Sequence, residues 1–510
     1  MPFIDLNKES HQFTDSKFDV TIIGAGAAGI LLAVRLTNAG KKVLLIESGH
    51  FSIDEEKQKL NEVENTGKEL VNAVWGRKRA VGGTTLAWGG QSLPFTPIDF
   101  SYRPWVQNSG WPISFDSIAQ YYNEANAFMK IDELNYHNDI FAKAKITDPG
   151  IDPLLLNFHV AKWANEPNFQ TLYKDFLSKN VTVLYNAHLS KIYQLPDGTV
   201  DKIEVQNFRK EKALFNINKL IISGGGIETV RILLNNNIGD HSGWLGKCFM
   251  EHPCIELGDV ITNRPYQLQK HFNTHVWNKS KYSVRLSLSK VFQEQHEILN
   301  CSASFMFRPS RDKFDPYAEL VSFKRDFNIR RLIKILGSYK SIFKSVWAYI
   351  KDHFYYKVNA ENKLVLMIEQ EPVTNSYIAL SDTKDEFGMP KAKISWRITP
   401  KTWETVLQIS DVLKTEIERL NLGEVKLYEQ ISIANKDWLN FLSDVNHHIG
   451  GCRMSASSES GVVNENLQVW NIPNLYICSC AVFPTSSHSN PTLTMLALGI
   501  RLSDHITKTQ

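Results

Sequence analysis

A glycine turn between a buried strand and a helix constrains the fold of this chain more than any other feature. The apolar residues Val20-Thr21-Ile22-Ile23 are followed at once by Gly24-Ala25-Gly26-Ala27-Ala28-Gly29. A short apolar run of this kind is typical of a strand that is buried on both faces in a parallel sheet. The helix is expected to end near Gly40, and a second strand to cover Lys42 to Glu47. The pattern predicts a βαβ unit.

The spacing within this unit predicts a dinucleotide site. Gly24 permits the tight turn, Gly26 lets the backbone approach a pyrophosphate, and Gly29 lets the helix pack on the strand. The first helical residues, Ala27-Ala28, present free N–H groups to the phosphates. Glu47 ends the second strand, where its carboxylate can accept a hydrogen bond from an unphosphorylated adenosine ribose. FAD or NAD is therefore expected rather than NADP, and this fingerprint alone serves both.

Length and composition narrow the class of protein. A chain of 510 residues exceeds the size at which single hydrophobic cores stop growing, so two domains are expected. The net charge of +3 gives no argument for nucleic-acid binding. The N-terminus does not resemble a signal peptide, no segment is apolar enough to span a bilayer, and the six cysteines are too scattered for a disulfide framework. We expect a cytoplasmic protein with reduced thiols.

Two later segments are expected to join the first sheet. A strand, a turn and a helix are predicted over Lys219 to Leu234, and a strand over Asn474 to Cys480 precedes a helix over Thr492 to His505. The stretch from about Glu251 to Val445 alternates β-like runs with helices. The sequence therefore predicts one sheet interrupted by insertions, together with a mixed second domain.

Further motifs follow one another in a fixed order. They are Val81-Gly82-Gly83-Thr84-Thr85-Leu86-Ala87-Trp88-Gly89-Gly90, Gly110-Trp111-Pro112-Ile113, Ser223-Gly224-Gly225-Gly226-Ile227-Glu228-Thr229, Leu245-Gly246-Lys247, Glu251-His252-Pro253, Ile368-Glu369-Gln370-Glu371-Pro372, His447-His448-Ile449-Gly450-Gly451-Cys452-Arg453-Met454, Pro484-Thr485 and Asn490-Pro491-Thr492-Leu493-Thr494. With these motifs, the chain from about residue 17 to its end resembles the glucose-methanol-choline (GMC) oxidoreductase family. Within the family it is most similar to the bacterial branch near pyranose oxidases and glycoside dehydrogenases.

The resemblance implies an α/β fold, α+β overall, with a Rossmann-type FAD-binding domain assembled from discontinuous segments and a substrate domain of mixed sheet and helices. The expected FAD-binding segments are residues 15–110, 155–255 and 440–507, and the expected substrate-binding segments are 111–154 and 256–439. FAD is the implied cofactor. The residues implied to bind it are Gly24, Gly26, Ala27, Ala28, Gly29, Glu47, Gly82, Gly83, Thr84, Thr85, Gly225, Ser479, Cys480, Pro491 and Thr492.

Alcohol oxidation at a flavin also requires a base. Hydride leaves the carbinol carbon only if the hydroxyl proton leaves as well, and histidine, whose pKa lies near neutrality, is the usual acceptor. The resemblance places His447 at the base position and Asn490 at the partner position, where an amide can donate to the developing alkoxide. His448 is the rival base. No metal is expected.

Three positions depart from the family pattern. Ala87 stands where some relatives attach the flavin covalently through histidine, so a noncovalent FAD is expected. Ser479 stands where many members have Asp and Gly451 where many have Thr, and both are expected beside the cofactor. The favoured substrate is a sugar or glycoside hydroxyl. An apolar alcohol such as a sterol or terpenoid and a catalytically inactive flavoprotein subunit stay open as alternatives, as does the electron acceptor.

One segment combines an apolar stripe with positive charge. Residues 324–357 carry nine Lys or Arg and two Asp. The expected interpretation is a helix that covers the second domain with its stripe on the core, and the alternative is a membrane-surface helix. The stripe consists of Leu332, Leu336, Tyr339, Phe343, Val346, Ile350 and Phe354.

Overall fold

The computed structural model describes residues 3–8, 17–309 and 339–508. Its first βαβ unit consists of strand Val20–Ile23, helix Ala27–Asn38 and strand Val43–Ile46. The two strands pair in parallel, and all their residues are buried. This confirms the unit that the glycine turn predicts. Gly40 follows the helix with a φ of +81°, the left-handed conformation expected after a helix C-terminus.

The predicted association of three distant chain segments is also confirmed. Strand Lys219–Ile222 pairs in parallel with Val20–Ile23 on one side and with Leu475–Ile477 on the other. A six-stranded parallel sheet results, hereafter the parallel sheet. Its strands, in spatial order, are Phe3–Asp5, Thr182–Tyr185, Val43–Ile46, Val20–Ile23, Lys219–Ile222 and Leu475–Ile477.

A second, eight-stranded sheet is antiparallel and has its own core. Helix Pro400–Arg419 packs on one face through residues such as Trp403, Val406 and Ile409. Strand Thr274–Trp277 pairs with the strand that follows it. The other strands, in spatial order, are Glu424–Leu427, Cys254–Ile261, Ala360–Ile368, Cys301–Pro309, Ser280–Leu288, Leu156–Trp163 and Gln91–Ser92.

Smaller elements complete the described part of the chain. One three-stranded sheet is formed by His188–Gln194, Val200–Gln206 and Lys212–Asn216, and another by Val63–Asn65, Tyr377–Lys384 and Pro390–Ser395. The remaining helices are Glu55–Gln58, Pro97–Phe100, Phe115–Ala119, Tyr122–Phe128, Asn138–Lys143, Phe169–Asn180, Gly225–Asn235, Pro265–Phe272, Lys290–His296, Tyr339–Asp352 and Thr492–Lys508, with 3-10 turns at Lys59–Asn61, Gly83–Leu86, Trp438–Phe441 and Cys480–Val482.

Two strands and a helix differ from the predicted domain limits. Strand Leu156–Trp163, expected in the FAD-binding segment from residue 155, pairs with Ser280–Leu288 of the eight-stranded sheet. Helix Tyr122–Phe128, expected in the substrate domain, instead adds Tyr122 and Ala125 to the core around the parallel sheet. The strand Pro390–Ser395 pairs with Val63–Asn65 and faces the same core. Periodicity fixes the type of an element, whereas tertiary packing decides which sheet it joins. The domain limits stay a prediction.

Helix Tyr339–Asp352, hereafter the aromatic helix, contradicts the expected burial of the apolar stripe. The exposed fractions of Tyr339, Phe343 and Ile350 are 63%, 66% and 65%. The buried residues of this helix are Ala348 and Asp352, so a narrow side of it packs against the rest of the protein. Phe354, beyond the helix end, is the stripe residue that is buried. Leu332 and Leu336 lie outside the described residues. Among the described helices, none is both long and apolar enough to cross a membrane.

Candidate functional site

A cavity of about 620 Å³ lies where the loops after three parallel strands meet. The glycine turn follows Ile23, Gly224-Gly225 follows the strand that ends at Ile222, and Ser479-Cys480 follows the strand that ends at Ile477. Parallel strands end at the same edge of a sheet, so these loops converge there. All three loops line the cavity.

Two glycines allow backbone segments in the cavity wall to approach each other closely. A Cβ atom at Gly29 would lie 1.9 Å from the carbonyl oxygen of Gly24, so the helix could not approach the turn. A Cβ atom at Gly83 would lie 2.7 Å from the Cα of Gly26, and Gly83 has a φ of +55°. The two glycine loops therefore touch each other, and N–H groups at the start of helix Ala27–Asn38 face the cavity they enclose.

Glu47 is buried at the end of its strand and lines the cavity. Its Oε2 accepts a hydrogen bond from Ala25 N at 2.9 Å, and its Oε1 accepts one from Gly49 N at 2.8 Å. Burial raises the pKa of Glu47, while these backbone donors and Arg79 oppose the rise. Each carboxylate oxygen has a second lone pair. Glu47 can thus hold the glycine turn and still accept from a ribose hydroxyl.

A basic run that the sequence analysis missed also borders the cavity. Arg77, Lys78 and Arg79 precede the second glycine loop and line its wall. Arg79 Nη2 is paired with Glu228 Oε2 at 2.7 Å, and burial lowers the pKa of Arg77 to about 9. Three consecutive cations beside glycine N–H groups suit a bound pyrophosphate. The signal was present in the sequence, since the run stands directly before Ala80 and Val81.

The cavity brings together nearly all the predicted site residues. Gly82 and Gly29 are not in its lining, although both support loops that are. Gly451, expected beside the cofactor, is also outside the lining. It has a φ of +96°, and a Cβ atom there would lie 2.6 Å from Val230, which explains the glycine. The predicted residues that line the cavity are Gly24, Gly26, Ala27, Ala28, Glu47, Gly83, Thr84, Thr85, Gly225, His447, Ser479, Cys480, Asn490, Pro491 and Thr492.

A chain of hydrogen bonds leads to the side chain of His447. Nδ1 of His447 lies 2.9 Å from Nδ1 of His252, and Nε2 of His252 lies 3.1 Å from the carbonyl oxygen of Ser486. On the cavity side, Asn490 Nδ2 donates to His447 Nε2 at 3.3 Å. The sequence analysis quoted His252 only as part of a motif and gave it no role.

These hydrogen bonds determine which nitrogen of His447 carries a proton. A carbonyl oxygen can only accept, so His252 donates through Nε2. Burial lowers the pKa of His252 to about 4, which leaves its Nδ1 as an acceptor at neutral pH. His447 must then donate through Nδ1. Burial, with the positive charge of neighbouring groups, keeps the pKa of His447 well below its usual value, so its Nε2 is unprotonated and its lone pair accepts the hydrogen bond from Asn490.

His448 has different surroundings. Its ring stacks at 6.4 Å on Phe249, and its Nε2 lies 3.8 Å from Glu251 Oε2. Burial lowers the pKa of His448 to about 3. Its carbonyl oxygen is 2.2 Å from the position that a Cβ atom of Gly226 would take. The two adjacent histidines thus point to different partners, and the hydrogen bond to Asn490 belongs to His447.

Glu251 fixes the backbone beside both histidines. Its Oε1 accepts hydrogen bonds from His447 N at 2.7 Å and from His252 N at 2.9 Å. The carboxyl is fully buried, and burial raises its pKa to about 8. Among the described residues, no group of His, Cys, Asp or Glu is arranged to hold a metal ion, and the six cysteines are free.

Two family models match the chain. The model described as GMC oxidoreductase matches residues 372–499, and the model described as NAD(P)-binding Rossmann-like domain matches residues 22–52. These ranges contain the glycine turn, Glu47, His447 and Asn490.

Individual proteins are similar over different lengths. A 2-methyl-1,2-propanediol dehydrogenase of Mycolicibacterium austroafricanum is 22% identical over 96% of this chain and 95% of its own length. A C-glycoside 3-oxidase of Arthrobacter globiformis is 32% identical, but over 23% of this chain and 21% of its own length. A solved formate oxidase structure from Aspergillus oryzae, studied for FAD modification, aligns with a TM-score of 0.56 at 16% identity and covers 97% of this chain and 99% of that one. The last likeness concerns the fold alone.

Proposed function

We propose that this FAD-dependent enzyme of the GMC oxidoreductase family, which acts on CH–OH groups, oxidises the hydroxyl of a sugar or glycoside and uses His447 as its base. The observation that carries the proposal is the unprotonated Nε2 of His447, which accepts from Asn490 where both residues line the cavity. A base must lie within hydrogen-bond reach of the proton that it removes.

The residues around the cavity fit FAD. The two touching glycine loops and the N-terminus of helix Ala27–Asn38 would hold its pyrophosphate, and Glu47 its adenosine ribose. Arg77 and Lys78 would add positive charge near the phosphates. When bound, FAD supplies a hydride acceptor at N5. We propose that this binding is noncovalent, because Ala87 lines the cavity without a group that could form a bond.

His447 and Asn490 would divide the proton transfer between them. His447 Nε2 takes the hydroxyl proton, and the positive charge that forms on the ring is shared with His252 through the Nδ1 contact. Asn490 Nδ2, which donates to His447 Nε2 in this structure, turns to the alcohol oxygen as that oxygen gains negative charge. An amide cannot take up the proton, so it does not compete with the base.

The alternatives are less well supported. A catalytically inactive flavoprotein would not need a buried series of hydrogen bonds that keeps His447 Nε2 unprotonated at the cavity. Gln91, whose side-chain amide can form hydrogen bonds with a sugar hydroxyl, lines the cavity together with His447. The C-glycoside 3-oxidase similarity also favours a sugar hydroxyl. A cytoplasmic location stays a prediction.

An anaerobic panel tests the proposal. Purified holoenzyme is mixed with sugars, glycosides and apolar alcohols in turn, and loss of the oxidised flavin absorbance is recorded. We expect sugars or glycosides to bleach the flavin fastest. Faster bleaching by sterols or terpenoids would contradict the substrate class, and no bleaching by any alcohol would favour the inactive subunit. Acid precipitation of the same preparation should leave the flavin in the supernatant, and flavin in the pellet would contradict noncovalent binding.

A further inference from the structure

The eight-stranded sheet turns a polar face toward the cavity. Along strand Ser280–Leu288, the residues Val284, Leu286 and Leu288 lie in the core of the second sheet. Side chains alternate along a strand, so Arg285 points to the opposite face. His159 is its direct neighbour on strand Leu156–Trp163.

Arg285 reaches the wall of the cavity. Its Nη2 donates to Gln91 Oε1 at 3.3 Å, and Gln91 lines the cavity together with His447 and Asn490. On the same side, the ring of His488 meets that of His159 in an edge-on contact at 5.7 Å. His488 comes two residues before Asn490 in the chain. Three separate chain segments thus place Arg285, His159 and His488 beside the catalytic pair.

Several polar atoms of this group have no hydrogen-bond or ion-pair partner among the described residues. Among the described residues, no carboxylate lies within the 4.0 Å ion-pair distance of Arg285, whereas Arg103 is paired with Glu369 and Arg231 with Asp385. Within residues 3–8, 17–309 and 339–508, neither ring nitrogen of His488, which is 2% exposed, has a hydrogen-bond partner. The same holds for Gln91 Nε2 and His159 Nε2, and both residues are buried.

The positive charge of Arg285 affects the pKa values of the histidines around it. Burial is the main cause that lowers the pKa values of His488, His159 and His447, and the Arg285 guanidinium lowers all three further. The histidines are therefore neutral, and the guanidinium carries the positive charge. A partly buried guanidinium without a counter-ion carries an electrostatic cost. A bound ligand with an anionic group would remove that cost.

We propose that Arg285 binds an oxyanion, a carboxylate or a phosphate, on the alcohol that this enzyme oxidises, and that His159, His488 and Gln91 bind its neighbouring polar groups. The planar fork of a guanidinium matches two oxygens of such a group. This inference rests on the proposed function, since it names the substrate class of the same site.

Matched sugars test the inference. Glucose, glucuronate and glucose 6-phosphate share one ring and differ at one carbon, so they separate a neutral group from a carboxylate and a phosphate. Binding to the holoenzyme is followed by the change in flavin absorbance, with acetate and inorganic phosphate as small probes and chloride as the ionic-strength control. We expect at least one of the two charged sugars to bind about tenfold or more tightly than glucose.

Two variants locate the effect. Arg285→Gln should weaken binding of the preferred anion about 30-fold or more and change glucose binding little, because one partner of a desolvated pair is lost. Arg308→Gln is the matched control, since Arg308 is on the same sheet but exposed and paired with Glu256 at 2.8 Å. An equal loss for glucose and the charged sugars, or no anion effect in the wild type, would overturn the inference. If neutral alcohols still bleach the flavin in that case, the proposed function stands.

A second inference comes from the aromatic helix and is independent of the cavity. Besides Tyr339, Phe343 and Ile350, the side chains of Val346 and Trp347 are exposed by about half. The helix is nevertheless firmly attached. Tyr266 OH donates to Asp352 Oδ2 at 2.5 Å, and Lys270 Nζ lies 3.1 Å from Asp352 Oδ1.

The charges on the exposed side all have one sign. Lys340, Lys344 and Lys351 are exposed, while the helix's carboxylate, Asp352, is buried and paired. Apolar and aromatic side chains flanked by lysines match the interface of an anionic bilayer, where surface lysines are attracted to the negative headgroups. We infer that the aromatic helix lies on an anionic lipid surface.

Sedimentation with vesicles tests this inference. Holoenzyme is mixed at low salt with vesicles of phosphatidylcholine alone or with added phosphatidylglycerol. We expect sedimentation with the anionic vesicles, release by salt, and loss of binding in Phe343→Ser/Ile350→Ser with catalysis unchanged. Absence of binding at low salt would overturn it. Concentration-dependent dimerisation that the same variant abolishes would instead assign the helix to a second copy of the chain.

Discussion

One side of the cavity is formed by backbone atoms and the other by side chains. On the cofactor side, backbone atoms of the two glycine loops form the wall, and the sequence neighbours of those atoms lie in the same wall. On the opposite side, side chains do so, and Gln91, Trp163 and His447 come from segments far apart in the sequence. A backbone wall is encoded by a short spacing of glycines. A side-chain wall exists only once distant strands have paired.

The sharpest test of the side-chain wall is its base. His447→Ala should slow anaerobic flavin reduction by about 10² to 10⁴-fold, or about 3 to 5 kcal/mol of barrier, because the acceptor for the hydroxyl proton is lost. FAD content should stay near normal, since the glycine loops that we propose bind the phosphates are unchanged. Single-turnover stopped-flow absorbance measures the rate. His448→Ala is the control and should do much less. A crippled His448→Ala beside a normal His447→Ala would show that the base is misassigned.

The partner of the base should have the next largest effect. Asn490→Ala removes one hydrogen bond to the oxygen that gains charge, and we expect flavin reduction on the order of 10² to 10³-fold slower. The same stopped-flow measurement applies. Asn490→Asp keeps the shape but replaces the donor with an acceptor, so it should be at least as slow. A normal rate in both variants would remove Asn490 from the chemistry.

On the backbone wall, Glu47 is the side chain with the largest expected effect. Glu47→Arg removes the acceptor for Ala25 N and Gly49 N and for the ribose hydroxyls, so FAD affinity should fall by about a hundredfold. Retention of FAD on ultrafiltration measures this. Glu47→Gln keeps one acceptor oxygen and should lose less. If Glu47→Arg retains its FAD, the carboxylate does not take part in binding. The backbone of the glycine loops would then bind FAD without this side chain.

The hydrogen bond between His447 and His252 predicts that substitution of His252 has a smaller effect on the rate of flavin reduction. His252→Phe should slow flavin reduction by about 10 to 100-fold, because His447 Nδ1 loses its acceptor and both tautomers become populated. His252→Asn offers a side-chain oxygen to the same N–H and should recover part of the rate. Equal rates in the two variants would mean that His252 acts only through packing.

The smallest expected effect concerns Glu251 and pH. Its pKa is about 8 in the folded protein and near 4.5 when unfolded, so the folded state binds the proton more tightly. Stability contributed by the protonated carboxyl is therefore present below about pH 4.5 and is lost as pH rises through about 8. Glu251→Gln should gain a few degrees in Tm relative to the wild type across this range. A constant difference in Tm from low to high pH would contradict the shifted pKa.

The sequence predicted the parallel sheet and most of the cavity lining because their signals are local. The glycine turn, the apolar strands and the acid at residue 47 lie within one βαβ unit, and the distant motifs could be compared with a known family. Arg285, His159 and His488 could not be predicted. Each is an unremarkable polar residue in its own segment, and strand register alone brings the first two together. Pairing between distant segments also explains why strand Leu156–Trp163, expected in an FAD-binding segment, joins the eight-stranded sheet.

The alternation along strand Ser280–Leu288 also has an evolutionary consequence. Val284, Leu286 and Leu288 lie in the core of the eight-stranded sheet, whereas the intervening Arg285 and Ser287 do not. Selection for a new substrate can therefore act on every second codon of this strand while selection for folding acts on the others. A combinatorial library restricted to the intervening positions should yield mostly folded, FAD-containing proteins with altered substrate preference, whereas one shifted by a single residue should yield mostly insoluble protein.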